Sequence, residues 1–382
     1  MTPRDISATS GARAIPAADP GAGMRAHREA IVAAMQRVLD RGRYILGDEC
    51  AAFEREFTDW LGGGHAVGVA SGTDALMLAL RGAGVGPGDE VITVSHTATA
   101  TAAAIELAGG VPVFADIDLE TYTMDPEAAA RAVTPRTRVL LPVHLYGHMA
   151  PIEPLMALAQ ERGLALVEDA AQAHGAAWRG RRAGTFGACA SFSFYPTKNL
   201  PALGDGGLVV TRDAAAADHV RRLREYGWRD RYVSDEPGFN SRLDELQAAI
   251  LRVRITGLDA DNARRRDIAA HYLKALSDAA VTLPVERPEH THVYHQFVIR
   301  HPRRDALREQ LRERGVGTLV HYPVAVHQQP AYRDRARRAG SLERTERAAA
   351  EVVSLPIHPE LTDAEVTRVA DAVREAAAEA LK

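Results

Sequence analysis

The chain has 382 residues, of which 46% are hydrophobic and 25% charged, with a formal net charge of -4. That length exceeds the usual single domain, so two domains, or one large domain with an appendage, are expected. The lack of a basic excess argues against a nucleic-acid partner, no apolar run approaches the length that spans a bilayer, and two cysteines, Cys50 and Cys189, are too few for a disulfide framework or a zinc cluster and suit a reducing cytoplasm.

Residues 1–23 are rich in Ala, Gly, Pro and Ser and lack the apolar core of a signal peptide, so a mobile tail is predicted there. Over residues 24–39 Ile31, Met35 and Val38 fall on one helical face. A short loop from Gly42 to Gly47 follows, in which Tyr44 is either a packed aromatic or a ligand contact, and then an amphipathic helix. HAVGVASGTDALMLALRGAG reads as strand, tight turn and helix. The turn Ser71-Gly72-Thr73-Asp74 has two readings: a plain N-cap, or a phosphate cradle built from the Gly72 and Thr73 N–H groups at a helix N-terminus.

The pattern repeats. DEVITVSHTATATAAAIELAG gives a strand ending near Ser95 and a helix from about Thr99. GVPVFADID is a short strand, and DPEAAARAV opens with Asp125 as cap and Pro126 at the first helical position. TRVLLPVHLYG, a helix through PLMALAQERG, and LALVEDAAQAHG follow, the last strand ending on Glu168 and Asp169. Strands alternating with helices at this spacing predict an α/β fold with a mixed, mostly parallel sheet between helices. Ligands in such sheets bind at the carboxyl ends of the strands.

Lys198 stands in SFSFYPTKNLPALGDGG, after aromatic and small residues and before a glycine-rich turn. An ordinary surface lysine is one reading. The other is an amine of reduced hydration and lowered pKa, as needed to form a Schiff base with a carbonyl compound. Gly72, Thr73, His96, Asp169 and Lys198 all fall at or just beyond predicted strand ends, and that shared location favours the functional reading of each. A lysine, a phosphate cradle and a carboxylate on one face suggest pyridoxal 5′-phosphate. The cofactor's ring nitrogen needs an anionic partner to stay protonated, and Asp169 fits, a helix cap being its competing role. Gln172 is placed to hydrogen-bond the ring's 3-hydroxyl, and Ser193 to offer its hydroxyl to the phosphate. No GxGxxG follows the first strand, and His144, His148 and His174 lack ligand spacing, so no metal site is expected.

After the glycine turn, GLVVTRD reads as a strand and DHVRRLREYGW as a helix with Arg221, Arg222 and Arg224 on a solvated face. Residues 232–239 read as a loop, and LDELQAAILRVRI begins a helix leading out of a large domain at 24–257. Residues 258–382 read as a smaller α+β domain: helix at 262–276, strand signals in HVYHQFVIR, helix at 305–314, and a last helix opened by a capping box from Thr362 to Glu365.

SGTDAL at Ser71, EDAAQAHGA at Glu168 and SFSFYPTKNLPALGDGG at Ser191 resemble the DegT/DnrJ/EryC1/StrS family of sugar aminotransferases of fold type I. The likeness extends through GRYILGDECAAFEREF at Gly42, PVHLYGHM at Pro142, GFNSRLDELQAAI at Gly238, HVYHQFVIR at His292, HYPVAVHQQPAY at His321 and LPIHPELTDAEV at Leu355. It implies Lys198 as the Schiff-base lysine, Asp169 at the pyridine nitrogen, Gln172 near the 3-hydroxyl, and Gly72, Thr73 and Ser193 around the phosphate. It also implies that Asn240 reaches the phosphate of a neighbouring subunit's cofactor, hence a homodimer with shared sites. Where such proteins place an aromatic to stack on the ring, this chain has Ala98, so that stacking either passes to His96 or is weaker. Tyr44, Tyr195, His321 and Tyr322 are the substrate-side candidates; a buried core histidine is the competing role of His321. The implied activity moves an amino group from an amino acid, expected to be L-glutamate, to a keto sugar on a nucleotide, the wording being nearest to 3-amination of thymidine-diphosphate keto-deoxysugars. Transamination of a keto-cyclitol and a cofactor-binding regulator without turnover are the rivals.

Overall fold

Residues 14–381 are described by a computed structural model of the chain. Seven strands carry the large sheet: β1 (His65–Val69), β2 (Glu90–Val94), β3 (Val111–Ala115), β4 (Thr137–Leu140), β5 (Ala165–Asp169), β6 (Cys189–Ser193) and β7 (Gly207–Thr211). Their order is β1-β7-β6-β5-β4-β2-β3, and a two-residue strand, Arg337–Arg338, adds beyond β3. From β6 through β5, β4 and β2 to β3 every pairing is parallel; β7 runs antiparallel to both β6 and β1. This is the mixed, mostly parallel α/β sheet expected from the alternation of strand and helix.

Strands β2, β6 and β7 are buried at all five residues, because helices cover both faces. The side-chain alternation of β6 shows how. Ala190, Phe192 and, just beyond the strand, Phe194 enter a core with Phe53 and Phe57 of the helix Asp48–Leu61. Those rings meet edge to face, Phe57 and Phe192 at 5.0 Å and Phe53 and Phe194 at 5.3 Å, the arrangement that aromatic quadrupoles favour. Cys189 points the other way, into a core of Val67, Leu78, Leu80, Val139, Val167 and Val209 beneath the helix Gly72–Gly82. Burial of both faces fixes the register, and so fixes which residues emerge at the strand ends.

A second apolar core draws on Ile268 and Tyr272 of the helix Leu258–Ala275, on β8 (Phe297–Arg300) paired antiparallel with β9 (Val352–Leu355), and on the C-terminal helix Asp363–Ala380. That last helix begins with the expected capping box between Thr362 and Glu365. The helix Leu258–Ala275 joins the two cores: its Leu258 still packs into the first, its Ile268 into the second.

Three features depart from the sequence reading. Residues 1–13 of the expected tail lie outside the described residues, but the stretch from Ala14 is packed. Ile15 is 1% exposed, donates its N–H to Gly315 O at 2.9 Å and accepts the Gly317 N–H at 2.8 Å. One isoleucine in a run of small residues suffices, because its backbone pairs beside Val316 while its side chain enters the second core. Next, the C-terminal third is not a self-contained unit. Val326, Tyr332 and Leu342 close over Phe114 of β3 and Ala102 of the helix Thr99–Leu107, with Arg337–Arg338 as an edge strand of the large sheet. Finally, Arg224 is buried rather than on a solvated face, pairing with Glu54 at 2.8 Å and donating to Gly68 O at 2.9 Å. A charge at the end of a helix that also packs on β1 reads from sequence like any solvated arginine.

Ile15→Ala should therefore destabilise the protein by about 2–4 kcal/mol, the range for truncating a fully buried isoleucine. Urea unfolding measures this; a midpoint within error of the parent would return the segment to the status of a tail.

Candidate active site

The carboxyl ends of β1, β2, β4, β5 and β6 open on one side of the sheet, and a cavity of about 220 Å³ lies there. Gly72, Thr73, Asp169, Gln172, Ser193 and Lys198 all line it. These are the residues in which the sequence showed a cradle, a carboxylate, an amide and an amine.

The cradle follows from two missing side chains. Ser71 caps the helix Gly72–Gly82, its Oγ accepting the Asp74 N–H at 3.1 Å. That leaves Gly72 and Thr73 in the first turn, where N–H groups have no partner inside the helix. The cap and cradle readings are thus compatible. A Cβ on Gly72 would stand 2.5 Å from Ser193 Cβ, and one on Gly207 would stand 2.1 Å from the Ser71 carbonyl oxygen. Only glycine lets the turn after β1 close against β6 and β7, and the closure brings the Ser193 hydroxyl beside the helix N-terminus. Such an end attracts an anion through free N–H groups and the helix dipole.

Asp169 ends β5 at 6% exposure. Its Oδ1 accepts the Ala171 N–H at 3.2 Å and its Oδ2 accepts from the Thr101 hydroxyl at 3.0 Å. Burial pushes its pKa up; the Ala171 N–H, the Thr101 hydroxyl and the Lys198 charge oppose that push without cancelling it. Lys198 is the counterpart. Burial lowers its amine from the ordinary 10.5 to about 8, against the pull of Asp169. An amine so depressed is in part neutral, and hence nucleophilic, near physiological pH.

Behind Asp169 the neighbouring acid has a framework role. Glu168 is fully buried, and its carboxylate accepts from the N–H groups of Gly184, Phe186 and Gly187 at 2.7–2.8 Å. His144 Nδ1 accepts the Ala150 N–H at 3.1 Å, so its Nε2 carries the proton and donates to Glu168 at 3.0 Å. Burial would raise the Glu168 carboxyl, but His144 and these amides hold it below the usual carboxylate range.

Gln172 spans two elements. Its Oε1 accepts the Tyr146 N–H at 2.8 Å and its Nε2 donates to the Tyr322 hydroxyl at 3.0 Å. Tyr195, 52% exposed, lines the same cavity. His321 does not; it borders a smaller adjoining cavity of about 80 Å³ that also reaches Lys198. Its Nδ1 meets Ser354 Oγ at 2.8 Å, and burial lowers it to about 4, with the Lys198 charge adding. Tyr44 stands exposed, away from the cavity. Asn240 is exposed on the segment that pairs with Glu225, and it too lies outside this chain's cavity.

One assignment is corrected. His96, the candidate to stack on a ring in place of the missing aromatic, does not line the cavity. The chain turns inward after β2, and the His96 ring is 0% exposed with Nε2 at 2.8 Å from the Tyr146 hydroxyl. Ala98 lines the cavity instead. Residues the sequence reading passed over are Thr101, Tyr146 and Ser241. Thr101 was hidden in an alanine–threonine run, although its place one helical turn after Thr97, whose Oγ1 lies 2.9 Å away, was a usable signal. Ser241 donates to Asp74 at 2.7 Å and accepts the Ala70 N–H at 3.1 Å, fastening the Asn240 segment to the cradle helix.

These groups fit pyridoxal phosphate: a glycine-dependent cradle for its phosphate, a buried carboxylate for its ring nitrogen and a depressed lysine for its aldehyde. Among the described residues no cluster of His, Cys, Asp or Glu is arranged to hold a metal ion. Comparison with known proteins agrees with this fit. The model of the DegT/DnrJ/EryC1/StrS aminotransferase family matches residues 25–374. A dTDP-3-amino-3,4,6-trideoxy-alpha-D-glucose transaminase of Streptomyces venezuelae is 53% identical over 90% of this chain and 91% of its own. The crystal structure of S. venezuelae DesV superposes with a TM-score of 0.93 at 51% identity, covering 96% of this chain and 99% of that one. That of Bacillus subtilis ntda with bound cofactor PMP gives 0.90 at 30% identity, covering 97% and 87%.

Three outcomes test the site. Incorporation of pyridoxal phosphate into the apoprotein should accelerate as pH rises to about 8 and level off beyond it, because the neutral Lys198 amine is the reactive form; a rate still climbing at pH 10 would mean an undepressed lysine. Asp169→Asn should lower turnover at least about 100-fold, and Thr101→Val about tenfold through loss of one hydrogen bond to a charged group, with thermal stability recorded alongside. Near-parental turnover in Asp169→Asn would reduce the carboxylate to a cap.

Proposed function

The chain belongs to the DegT/DnrJ/EryC1/StrS aminotransferase family and uses pyridoxal phosphate, and on that premise we propose that it transfers an amino group from L-glutamate to the 3-keto group of a dTDP-linked deoxysugar. The observation that carries this is the convergence of Lys198, Asp169, Gln172 and the Gly72–Thr73–Ser193 cradle on one cavity. The sugar class is inferred from the activity named for the 53% identical Streptomyces relative.

When bound, pyridoxal phosphate supplies an aldehyde and an electron-accepting ring. The Gly72 and Thr73 N–H groups and the Ser193 hydroxyl would hold its phosphate. Asp169, whose charged form the Thr101 hydroxyl and the Ala171 N–H support, would hold the ring nitrogen protonated. Lys198 Nζ takes the proton from the α-carbon of the amino donor and delivers one to the sugar carbon that receives nitrogen; its lowered pKa lets it work in both directions near neutral pH. A regulator without turnover has no use for a depressed lysine beside a buried carboxylate.

The active unit is a homodimer with shared sites. Asn240 is exposed and does not line its own chain's cavity at Lys198, while Ser241 anchors its segment to the cradle helix. Asn240 therefore serves the partner's phosphate site. Among the described residues no helix is long and apolar enough to cross a membrane. Both cysteines are free and buried, in keeping with the cytoplasm, where we place the enzyme.

Two measurements decide between this reading and its rivals. The visible absorbance band of the holoenzyme should shift on adding L-glutamate, and amino product should then form from a dTDP-3-keto-deoxysugar; product from a keto-cyclitol alone would move the activity to that substrate class, and no shift with any amino acid would favour a regulator. Lys198→Ala and Asn240→Ala chains, each inactive alone, should regain activity when mixed, since one site of each heterodimer then holds both native residues. Heterodimers that form and stay inactive would refute the shared site.

A further inference from the structure

We propose that Tyr322 is a positioning residue that presents an N–H edge of Gln172 to the cavity, and so fixes a hydrogen-bond donor at the 3-oxygen of bound pyridoxal phosphate. The proposal rests on the reading that Gln172 faces that oxygen.

A primary amide carries one acceptor oxygen and two N–H donors. The Tyr146 backbone N–H can only donate, so the contact at 2.8 Å turns Gln172 Oε1 toward it. A flipped amide would set donor against donor there. One Nε2 hydrogen goes to the Tyr322 hydroxyl at 3.0 Å. That leaves the second N–H as the polar group of a side chain which is 7% exposed and lines the cavity. Tyr146 fixes which end of the amide faces away; Tyr322 stops the plane from swinging about that single contact.

The Tyr322 ring packs against the first core, and its loop is fastened to β9. Its neighbour His321 meets Ser354 of β9 through Nδ1 at 2.8 Å, and the His321 carbonyl accepts from the Tyr146 hydroxyl. The Tyr146 hydroxyl also meets His96 Nε2 at 2.8 Å. The loop at His321 and Tyr322 thus touches the Gln172 neighbourhood at two points, and the seating of the smaller unit sets the donor in the larger one. Burial pushes the Tyr322 hydroxyl up to about 12, with Gln172 opposing, so it stays neutral through the working pH range. The titratable groups that touch Gln172 or share its cavity are Tyr146, Tyr322, Asp169, Lys198, Tyr195 and Asp205. Of these, the variant below removes only the Tyr322 hydroxyl.

A donor at the ring oxygen draws charge from it and lowers the proton affinity of the bound chromophore. The test is the pH midpoint at which the visible absorbance band of the holoenzyme titrates. In Tyr322→Phe the midpoint should rise by about half a pH unit or more, and in Gln172→Glu, where an anion replaces the donor, by more than about one unit. A purely structural role for Tyr322 would change the melting temperature and leave the midpoint alone. If Gln172→Glu moves the midpoint and Tyr322→Phe does not, the amide is oriented without Tyr322 and the proposal is overturned. If neither variant moves it, Gln172 does not face the ring oxygen, and both the proposal and the reading beneath it fail.

Discussion

The structure depends on holding a half-buried amine, Lys198, and a buried carboxylate, Asp169, on one cavity. Each is destabilised by burial in its charged form: the lysine is pushed down to about 8 and the aspartate up from its usual range. Each also restrains the shift of the other. Asp169, as the buried charge of the two, depends on its hydrogen-bond partners, since an unpaired buried charge is costly. Together, with Thr101 and the Ala171 N–H supporting the carboxylate, they remain poised, one to hold charge and the other to give a proton away.

What surrounds the pair is backbone drawn into unusually close approach. Gly72 and Gly207 let three segments meet where a methyl group would collide, and the buried Glu168 gathers the amides of residues 184–187 beneath β5 and β6. These contacts are far apart in sequence and converge only through the sheet order, in which β6 and β7 lie between β1 and β5. The smaller unit then reaches across through Tyr322 to Gln172. The cavity is therefore shaped by the large sheet and trimmed by a loop from the C-terminal part of the chain.

Much of this was legible in the chain. Strand–helix alternation gives the parallel sheet directly, and its carboxyl ends collect Gly72, Thr73, Asp169, Gln172, Ser193 and Lys198 without further information. His96 was misread because a strand end says which residues emerge, not which way the next side chain turns; here it turns to Tyr146. Ile15 was misread because composition averages over a stretch, while a single apolar residue can dock it. Tyr322 and Tyr146 act through contacts 150 and 26 residues away in sequence. No local pattern encodes such contacts. Arg224 is the reverse case, a charge that looks solvated until its partner Glu54 is placed beside it.

The chain carries only three lysines, Lys198, Lys274 and Lys382, which makes the central claim simple to test. Borohydride reduction of the holoenzyme followed by peptide mapping should find pyridoxal covalently fixed to Lys198. The label on Lys274 or Lys382 instead would contradict the assignment, and with it the reading of Lys198 and Asp169 as the chemical centre of the protein.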